Sequence, residues 1–303
     1  MTLPESILTA VETALDRAGV SALSDATPQG GGCINETFRV RTSAGREAFL
    51  KWNPSAPPDF FPAEERGLTA LRRTVEGHGI DGIRVPEVLA LGQAEAGGWL
   101  LLEWAEPGSA APGFWTALGS GLARLHSAPV PGGLQEPNYI GPLDQENAPT
   151  RNWPEFWVER RLMPQYRIAR DAGHFHGSTG RELEQAMARM ATTLPDLSPS
   201  DFGLLHGDLW SGNTFPDRLG RAVLVDPAVY AGDPRVDLAM ADLFGGFDPA
   251  FREAYDSILD PGPEYDRFLR AAYQLYPLLV HVNLFGGAYV QGALDRARRI
   301  LAS

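Results

Sequence analysis

Ile7, Leu8, Val11, Ala14, Leu15 and Ala18 recur at helical spacing and predict a helix over residues 5–18, stopped at Gly19. From Thr37 to Thr42 the pattern switches to alternation, with Phe38 and Val40 on one face and Arg39 and Arg41 on the other. Ser43-Ala44-Gly45-Arg46 reads as a hairpin turn, and Glu47 to Trp52 as the returning strand. A second helix is predicted over 62–76, carrying Leu68, Leu71 and Val75 on one side. Glu64 lies four residues before Leu68 and so shares that inward side. Val85 to Leu91 and Trp99 to Trp104 read as two further strands.

The character then changes. Pro107-Gly108 and Pro112-Gly113 interrupt the chain, and helical patterns follow over 114–126, 153–170, 181–192, 249–258 and 264–293. Two short apolar strands, Leu204-Leu205 and Val223-Leu224-Val225, interrupt them. The predicted class is α+β. A small antiparallel-sheet lobe occupies residues 1–104 and binds the nucleotide; a mainly helical lobe, 105–303, carries the catalytic and substrate-binding residues. No internal repeat or low-complexity tract is present.

Composition narrows the classes. A chain of 303 residues can bury a sizeable core in one or two domains. Its formal net charge of −12 argues against a nucleic-acid partner, which would select a basic face. It also means that any bound phosphate must be met by locally placed cations. No apolar run is long enough to span a bilayer, and Met1-Thr2-Leu3-Pro4-Glu5 lacks the basic and apolar regions of a secretory signal. With a single cysteine, Cys33, no intramolecular disulfide is possible. A cytoplasmic, membrane-free protein is expected.

The densest chemistry is His206-Gly207-Asp208-Leu209-Trp210-Ser211-Gly212-Asn213, followed by Asp226 at the end of an apolar strand. An Asp five residues before an Asn can orient an attacking hydroxyl and accept its proton. The Asn and the later Asp offer hard oxygen ligands for Mg²⁺ on ATP phosphates. Alone, the octapeptide also suits a turn whose Asp and Asn side chains cap backbone groups. The rest of the chain decides between these readings. Gly30-Gly31-Gly32 can bring backbone N–H groups close to phosphate oxygens, although no Walker A motif follows. Lys51 sits on the strand after that turn, where a phosphate-pairing lysine belongs, and Glu64 on the next helix can form its ion pair. Taken singly, the lysine is an ordinary strand residue and the glutamate a helix N-terminal acid. The order glycine turn, Lys, Glu, Asp/Asn loop, strand-end Asp is much harder to obtain by accident. Glu103-Trp104-Ala105 lies at the lobe boundary, where backbone groups would meet an adenine edge; a plain edge strand is the alternative. His206 is expected to brace its loop rather than act as a base, and Asp237 to do the same. Trp210 is either a core anchor or a stacking surface for substrate, and the second is preferred. His126, His174, His176 and His281 show no metal-ligand spacing.

These residues, together with Gly31-Gly32-Cys33-Ile34-Asn35-Glu36, Asn138-Tyr139-Ile140-Gly141, Leu243-Phe244-Gly245-Gly246-Phe247 and Asn283-Leu284-Phe285-Gly286-Gly287, resemble the fructosamine kinase (ketosamine-3-kinase) family. That family lies within the aminoglycoside-phosphotransferase and protein-kinase-like superfamily. The resemblance spans nearly the whole chain. The His-Gly-Asp…Asn part is common to the superfamily, whereas Leu209-Trp210-Ser211-Gly212-Asn213 and the two Leu-Phe-Gly-Gly-type stretches are more specific. The resemblance implies a two-lobed kinase-like fold and ATP-dependent phosphorylation of the O3 hydroxyl of a free or protein-bound ketoamine, in deglycation. It implies Asp208 as base, Asn213 and Asp226 as Mg²⁺ ligands, Lys51 on the phosphates with Glu64 as its partner, and Trp210 near the sugar. The family often reads Gly-His-Arg-Glu where this chain has Gly232-Asp233-Pro234-Arg235.

Two alternatives compete. An aminoglycoside, choline or other small-alcohol phosphotransferase would share the site but not the specific stretches. A nucleotide-binding pseudokinase would lack the base, the lysine or a metal ligand, and here all are in place. A monomer is expected. Cys33 in the glycine turn is either an inert small residue or a redox-sensitive thiol able to link two chains on oxidation.

Overall fold

A computed structural model describes residues 3–17, 23–30 and 34–303. Helix α1 (Glu5–Arg17) is followed by strand β1 (Leu23–Gln29), the hairpin β2 (Glu36–Thr42) and β3 (Glu47–Asn53), helix α2 (Phe60–Gly77), the short β4 (Ile83–Arg84), and the hairpin β5 (Val88–Ala94) and β6 (Gly97–Glu103). Five of these strands form one antiparallel sheet in the order β1-β2-β3-β6-β5.

Strand alternation splits the sheet's residues between two cores. Phe38, Val40, Leu50, Trp52, Trp99 and Leu101 face α1 and bury against Ile7, Val11 and Leu15, which recur every fourth residue. Burial of each such side chain contributes roughly 1.5–3 kcal/mol. The opposite face carries Phe49, Leu100 and Leu102 and packs with Phe61, Leu68 and Leu71 of α2. Lys51 has the parity of this second face, paired in register with Thr37 and Leu100. It is therefore turned toward α2 rather than toward solvent.

The helical lobe contains α3 (Phe114–Ser127), α6 (Gly177–Thr193), α7 (Arg235–Phe244), α8 (Pro249–Asp256), α9 (Arg270–Phe285) and α10 (Val290–Ala302). One further helix spans α4 (Trp153–Phe156), a π-turn (Trp157–Leu162) and α5 (Met163–Asp171). The π-turn accompanies a fully buried Arg161, whose guanidinium stacks 4.0 Å from the Tyr230 ring and donates to Glu146 O and Asn147 Oδ1 at 2.6 Å each. Short strands complete the lobe: β7 (Asn138–Ile140) with β8 (Leu143–Gln145), β9 (Gly203–Leu205) with β12 (Tyr230–Gly232), and β10 (Thr214–Pro216) with β11 (Ala222–Leu224), which also pairs with β4 in parallel. No described helix is long and apolar enough to cross a membrane.

Several expectations needed correction. The helix expected over 264–293 is two, because Gly286 at φ 81° turns the chain between α9 and α10. The strand expected over 85–91 begins only at Val88; Pro86 has no N–H for a ladder and separates β4 from β5. Strand β1 was not expected, since Leu23–Gln29 is polar and largely exposed and joins the sheet only by pairing at its edge. Helix α7 was also missed.

Candidate active site

Lys51 Nζ donates to two carboxylates, Glu64 Oε1 from α2 and Asp226 Oδ1 from the segment after β11. The three groups come from elements far apart in the chain. Lys51 and Glu64 are nearly inaccessible, whereas the Asp226 side chain remains half exposed. Burial disfavours the Lys51 charge, but the Coulomb attraction of Asp226 and Glu64 outweighs it and holds the ammonium above its ordinary range. Burial pushes the Glu64 carboxyl up, with Lys51 opposing. Asp226 has φ 54°, the one left-handed residue other than glycine among the described residues. Such a conformation persists only where its surroundings impose it.

The loop from His206 to Asn213 leaves β9 through Gly207, at φ 81°, where an added Cβ would lie 2.0 Å from Ala228 O. Only glycine fits that turn. Asn213 Nδ2 donates to Asp208 O at 2.8 Å and to Asp208 Oδ2 at 2.9 Å, leaving the amide oxygen free to face a cation. Val225 N–H donates to Asn213 O at 3.1 Å, which holds the loop end beside the residue before Asp226. Asp208 borders a small apolar recess of about 20 Å³ with Ile140, Val236, Met240 and Val280. Burial raises its carboxyl to about 7; the Asn213 hydrogen bond opposes the shift and the Asp226 charge adds to it.

Behind the loop sits Asp237 on α7, fully buried. Its Oδ2 accepts from His206 N–H at 2.7 Å and from His126 Nε2 at 3.1 Å, and its Oδ1 from Gly207 N–H at 2.9 Å. His126 Nδ1 meets the Tyr255 hydroxyl at 2.8 Å. Burial would raise the Asp237 carboxyl, but the His126 hydrogen bond and the other donors hold it below its ordinary value. The His206 ring bridges its own loop: Nε2 lies 3.0 Å from Val225 O and Nδ1 accepts from Asp208 N–H at 3.3 Å. Burial lowers its pKa, so the ring is neutral and its two nitrogens have distinct roles.

Trp210 is 38% exposed, and its indole lies over Gly212, where a Cβ would stand 2.2 Å from the ring. Its ring meets Phe244 edge-on at 6.3 Å, and Phe244 continues to His281 at 4.6 Å. His281 in turn touches Phe285 and Tyr289 at 5.4 and 4.9 Å. This aromatic patch was not anticipated as a unit. Its sequence signal was the repeated Phe-Gly-Gly: Phe244 and Phe285 each end a helix that a glycine at positive φ terminates, Gly245 and Gly286. Tyr255, which meets His126 behind the loop, carried no signal, because it is recognisable only through its partner. The divergent Gly232–Arg235 segment is ordered by Asp233, whose carboxylate accepts from Arg235 at 2.7 to 3.0 Å and from the Tyr273 hydroxyl.

At the lobe junction, Glu103 pairs with Arg84 at 2.7 Å and Trp104 Nε1 donates to Glu106 at 2.7 Å. Ala105 is buried, yet among the described residues its N–H makes no hydrogen bond. A backbone donor without a partner at that place fits an adenine edge. Gly30 lies just after β1; Gly31, Gly32 and Cys33 lie outside the described residues. Asn213 and Asp226 offer oxygen donors, one neutral and one anionic, of the kind that fits a hard divalent cation.

An antiparallel-sheet lobe, a helical lobe and a Lys–Glu–Asp cluster facing an Asp/Asn loop define an ATP-dependent phosphotransferase of kinase-like fold. The sequence profile of the fructosamine kinase family matches residues 7–303, and the chain belongs to that family. It is 39% identical to a probable ketoamine kinase of Enterococcus faecium over 86% of this chain and 90% of that protein. It is 35% identical to a chloroplastic protein-ribulosamine 3-kinase of Arabidopsis thaliana, over 88% of this chain and 79% of that one. The crystal structure of a candidate fructosamine-3-kinase from Thermobifida fusca superimposes with a TM-score of 0.84 at 31% identity, covering 98% and 99% of the two chains.

Proposed function

We propose that this protein transfers the γ-phosphoryl group of ATP to the O3 hydroxyl of a ketoamine, with Asp208 as the base. The observation that carries this reading is the position of Asp208. It is held by Asn213, bordered by an apolar recess, and set two residues before an exposed indole. The 3-kinase name of the Arabidopsis relative supports the position on the sugar.

The geometry supports the following division of labour. Lys51, oriented by Glu64, neutralises phosphate charge, and Ala105 N–H and the Glu103–Ala105 backbone receive the adenine. Asn213 and Asp226 would hold Mg²⁺, which when bound would supply positive charge to offset the charge developing on the phosphates. Asp208 accepts the O3 proton; a carboxyl at about 7 is matched to neutral pH. Asp237 and His206 fix the loop that carries it. Trp210 stacks on the sugar, and the junction near Glu103–Ala105 serves as the boundary between residues 1–104 and 105–303. The product decomposes by its own chemistry: enolisation places the 3-phosphate allylic to an enaminol, phosphate leaves to give an imine, and water hydrolyses the imine to free the amine and a dicarbonyl.

ATP consumption should be measured with fructosamine, ribulosamine and erythrulosamine substrates, and with aminoglycosides and choline, each with and without Mg²⁺. Turnover confined to ketoamines and dependent on the metal is expected. Preference for an aminoglycoside or choline would overturn the substrate assignment, and no ATP consumption with any acceptor would overturn the kinase.

A further inference from the structure

A second cleft, of about 250 Å³, lies between the start of α9 and the end of α10, and it shares no lining residue with the recess at Asp208. Four arginines line it, Arg267, Arg270, Arg296 and Arg299, with Gln274 and a single acid, Asp266. Arg267, Arg270 and Gln274 recur along one helical face, and Arg296 and Arg299 along another. In a chain of net charge −12 this concentration of cations is a local departure.

The charges are not cancelled within the protein. Arg270 meets Asp266 at 3.2 Å and stands 4.0 Å from Asp242. Among the described residues, Arg267, Arg296 and Arg299 have no carboxylate within ion-pair distance; Asp295, the nearest acid in sequence to Arg296, pairs with Arg298. Arg296 is nevertheless held in place, its Nε donating at 2.7 Å to Gln274 Oε1. Gln274 is buried and is itself fixed by a 2.9 Å bond from Nε2 to Ala239 O of α7. A buried amide tied at both ends thus aims a guanidinium whose two terminal nitrogens remain available. Burial and the charges of Arg299 and Arg270 lower the Arg296 pKa, with Asp295 only partly opposing them.

We propose that this cleft is a binding site for a small phosphorylated anion. Planar guanidinium forks match phosphate oxygens in bidentate fashion, and several of them can converge on one dianion. The volume suits inorganic phosphate or a sugar phosphate. A nucleic acid would be repelled by the surrounding acidic protein. This assignment is independent of the substrate proposed above, because its readout is binding.

The test is calorimetric titration of the full chain with the nucleotide site saturated by a non-hydrolysable ATP analogue and Mg²⁺. The probes are inorganic phosphate in one arm and fructose 6-phosphate in the other. Saturable one-to-one binding of at least one probe is expected, and the arm that binds more tightly identifies the free ion or the ester. The double variant Arg296→Gln/Arg299→Gln should weaken it at least tenfold, about 1.4 kcal/mol, with ATP turnover unchanged. The charge reversal Arg299→Glu, at an exposed position, should produce the same loss if the double variant folds poorly. No saturable binding of either probe to the wild-type protein, or equal binding by Arg299→Glu, would overturn the site.

Discussion

Two polar networks meet at the loop from His206 to Asn213, and they are built in opposite ways. Behind the loop, one buried carboxylate, Asp237, is shared by two backbone N–H groups and an imidazole, and that imidazole is satisfied in turn by Tyr255. In front of it, the single ammonium of Lys51 faces Glu64 and Asp226, with Asp208 nearby. The rear network is complete within the protein; its charge is met by donors that never leave. The front is short of positive charge, and its most exposed acid, Asp226, sits in a backbone conformation that costs energy. A buried, satisfied network rigidifies, whereas an under-compensated one waits for a ligand. On the proposed reading, the rear holds geometry and the front receives cations and phosphate.

The largest effect should come from breaking the front at its base. Asp208→Asn is isosteric and can keep the Asn213 contact through its amide oxygen, so ATP affinity should persist while kcat falls by roughly 10²–10⁴-fold. Near-full activity in this variant would remove Asp208 from the chemistry. Stability should move the other way. The folded state raises the Asp208 carboxyl from 3.8 to about 7, so folding favours the protonated form, and the ionised form costs stability. That cost is absent below pH 3.8, grows as pH rises, and is complete above about 7. The variant should therefore be more stable than the wild type at pH 8, by about 1–3 kcal/mol given the residual exposure of the site, with little difference near pH 3.5. Denaturant melts at the two pH values measure this. In the wild type, kcat should rise with pH through about 7.

The rear network should fail differently. In Asp237→Asn, one carboxylate oxygen becomes an NH₂ facing a backbone N–H or His126, all of them donors. We expect a loss of about 2–4 kcal/mol in folding stability and a fall in kcat of roughly 10–100-fold from displacement of the loop. Because folding holds the Asp237 carboxyl below 3.8, its stabilisation is present above that pH and lost as pH falls through the lower folded value. The gap between wild type and variant should therefore narrow in acid. An unchanged melting midpoint at pH 7 would show that the loop does not depend on this brace.

The two networks were unequally legible in the sequence. The front could be read because phosphoryl transfer fixes residue types at fixed order: Lys51, Glu64, Asp208, Asn213 and Asp226 each have a chemical reason to be where they are. The rear could be read only in part. His206 and Asp237 stand near the motif, but His126 and Tyr255 lie on α3 and α8, 111 residues before and 18 residues beyond Asp237 respectively, and nothing local marks them as partners. The fold divides in the same way. Alternation exposed β2, and the apolar run of β6, buried on both faces, marked a strand by composition rather than by period. β1 is held by pairing with β2 rather than by burial, and so left no pattern. Most helices were visible, but α7 was not, and Gly286 in a long apolar run was not read as a break.

The smallest expected effect concerns Trp210, the residue proposed to meet the sugar. Its indole is over a third exposed and rests on Gly212 and the edge of Phe244 rather than in the core. Trp210→Ala should therefore cost little stability, within about 1 kcal/mol. Loss of one stacking surface is worth roughly 1–2 kcal/mol, so the KM for the ketoamine should rise about 5–20-fold while the KM for ATP stays unchanged. Trp210→Phe keeps an aromatic face and should recover most of the loss. Parallel rises in both KM values would mean that the indole supports the loop as the rear network does. Unchanged kinetics for the sugar would leave the Phe244–His281–Phe285 patch, without Trp210, as the surface that meets the ketoamine.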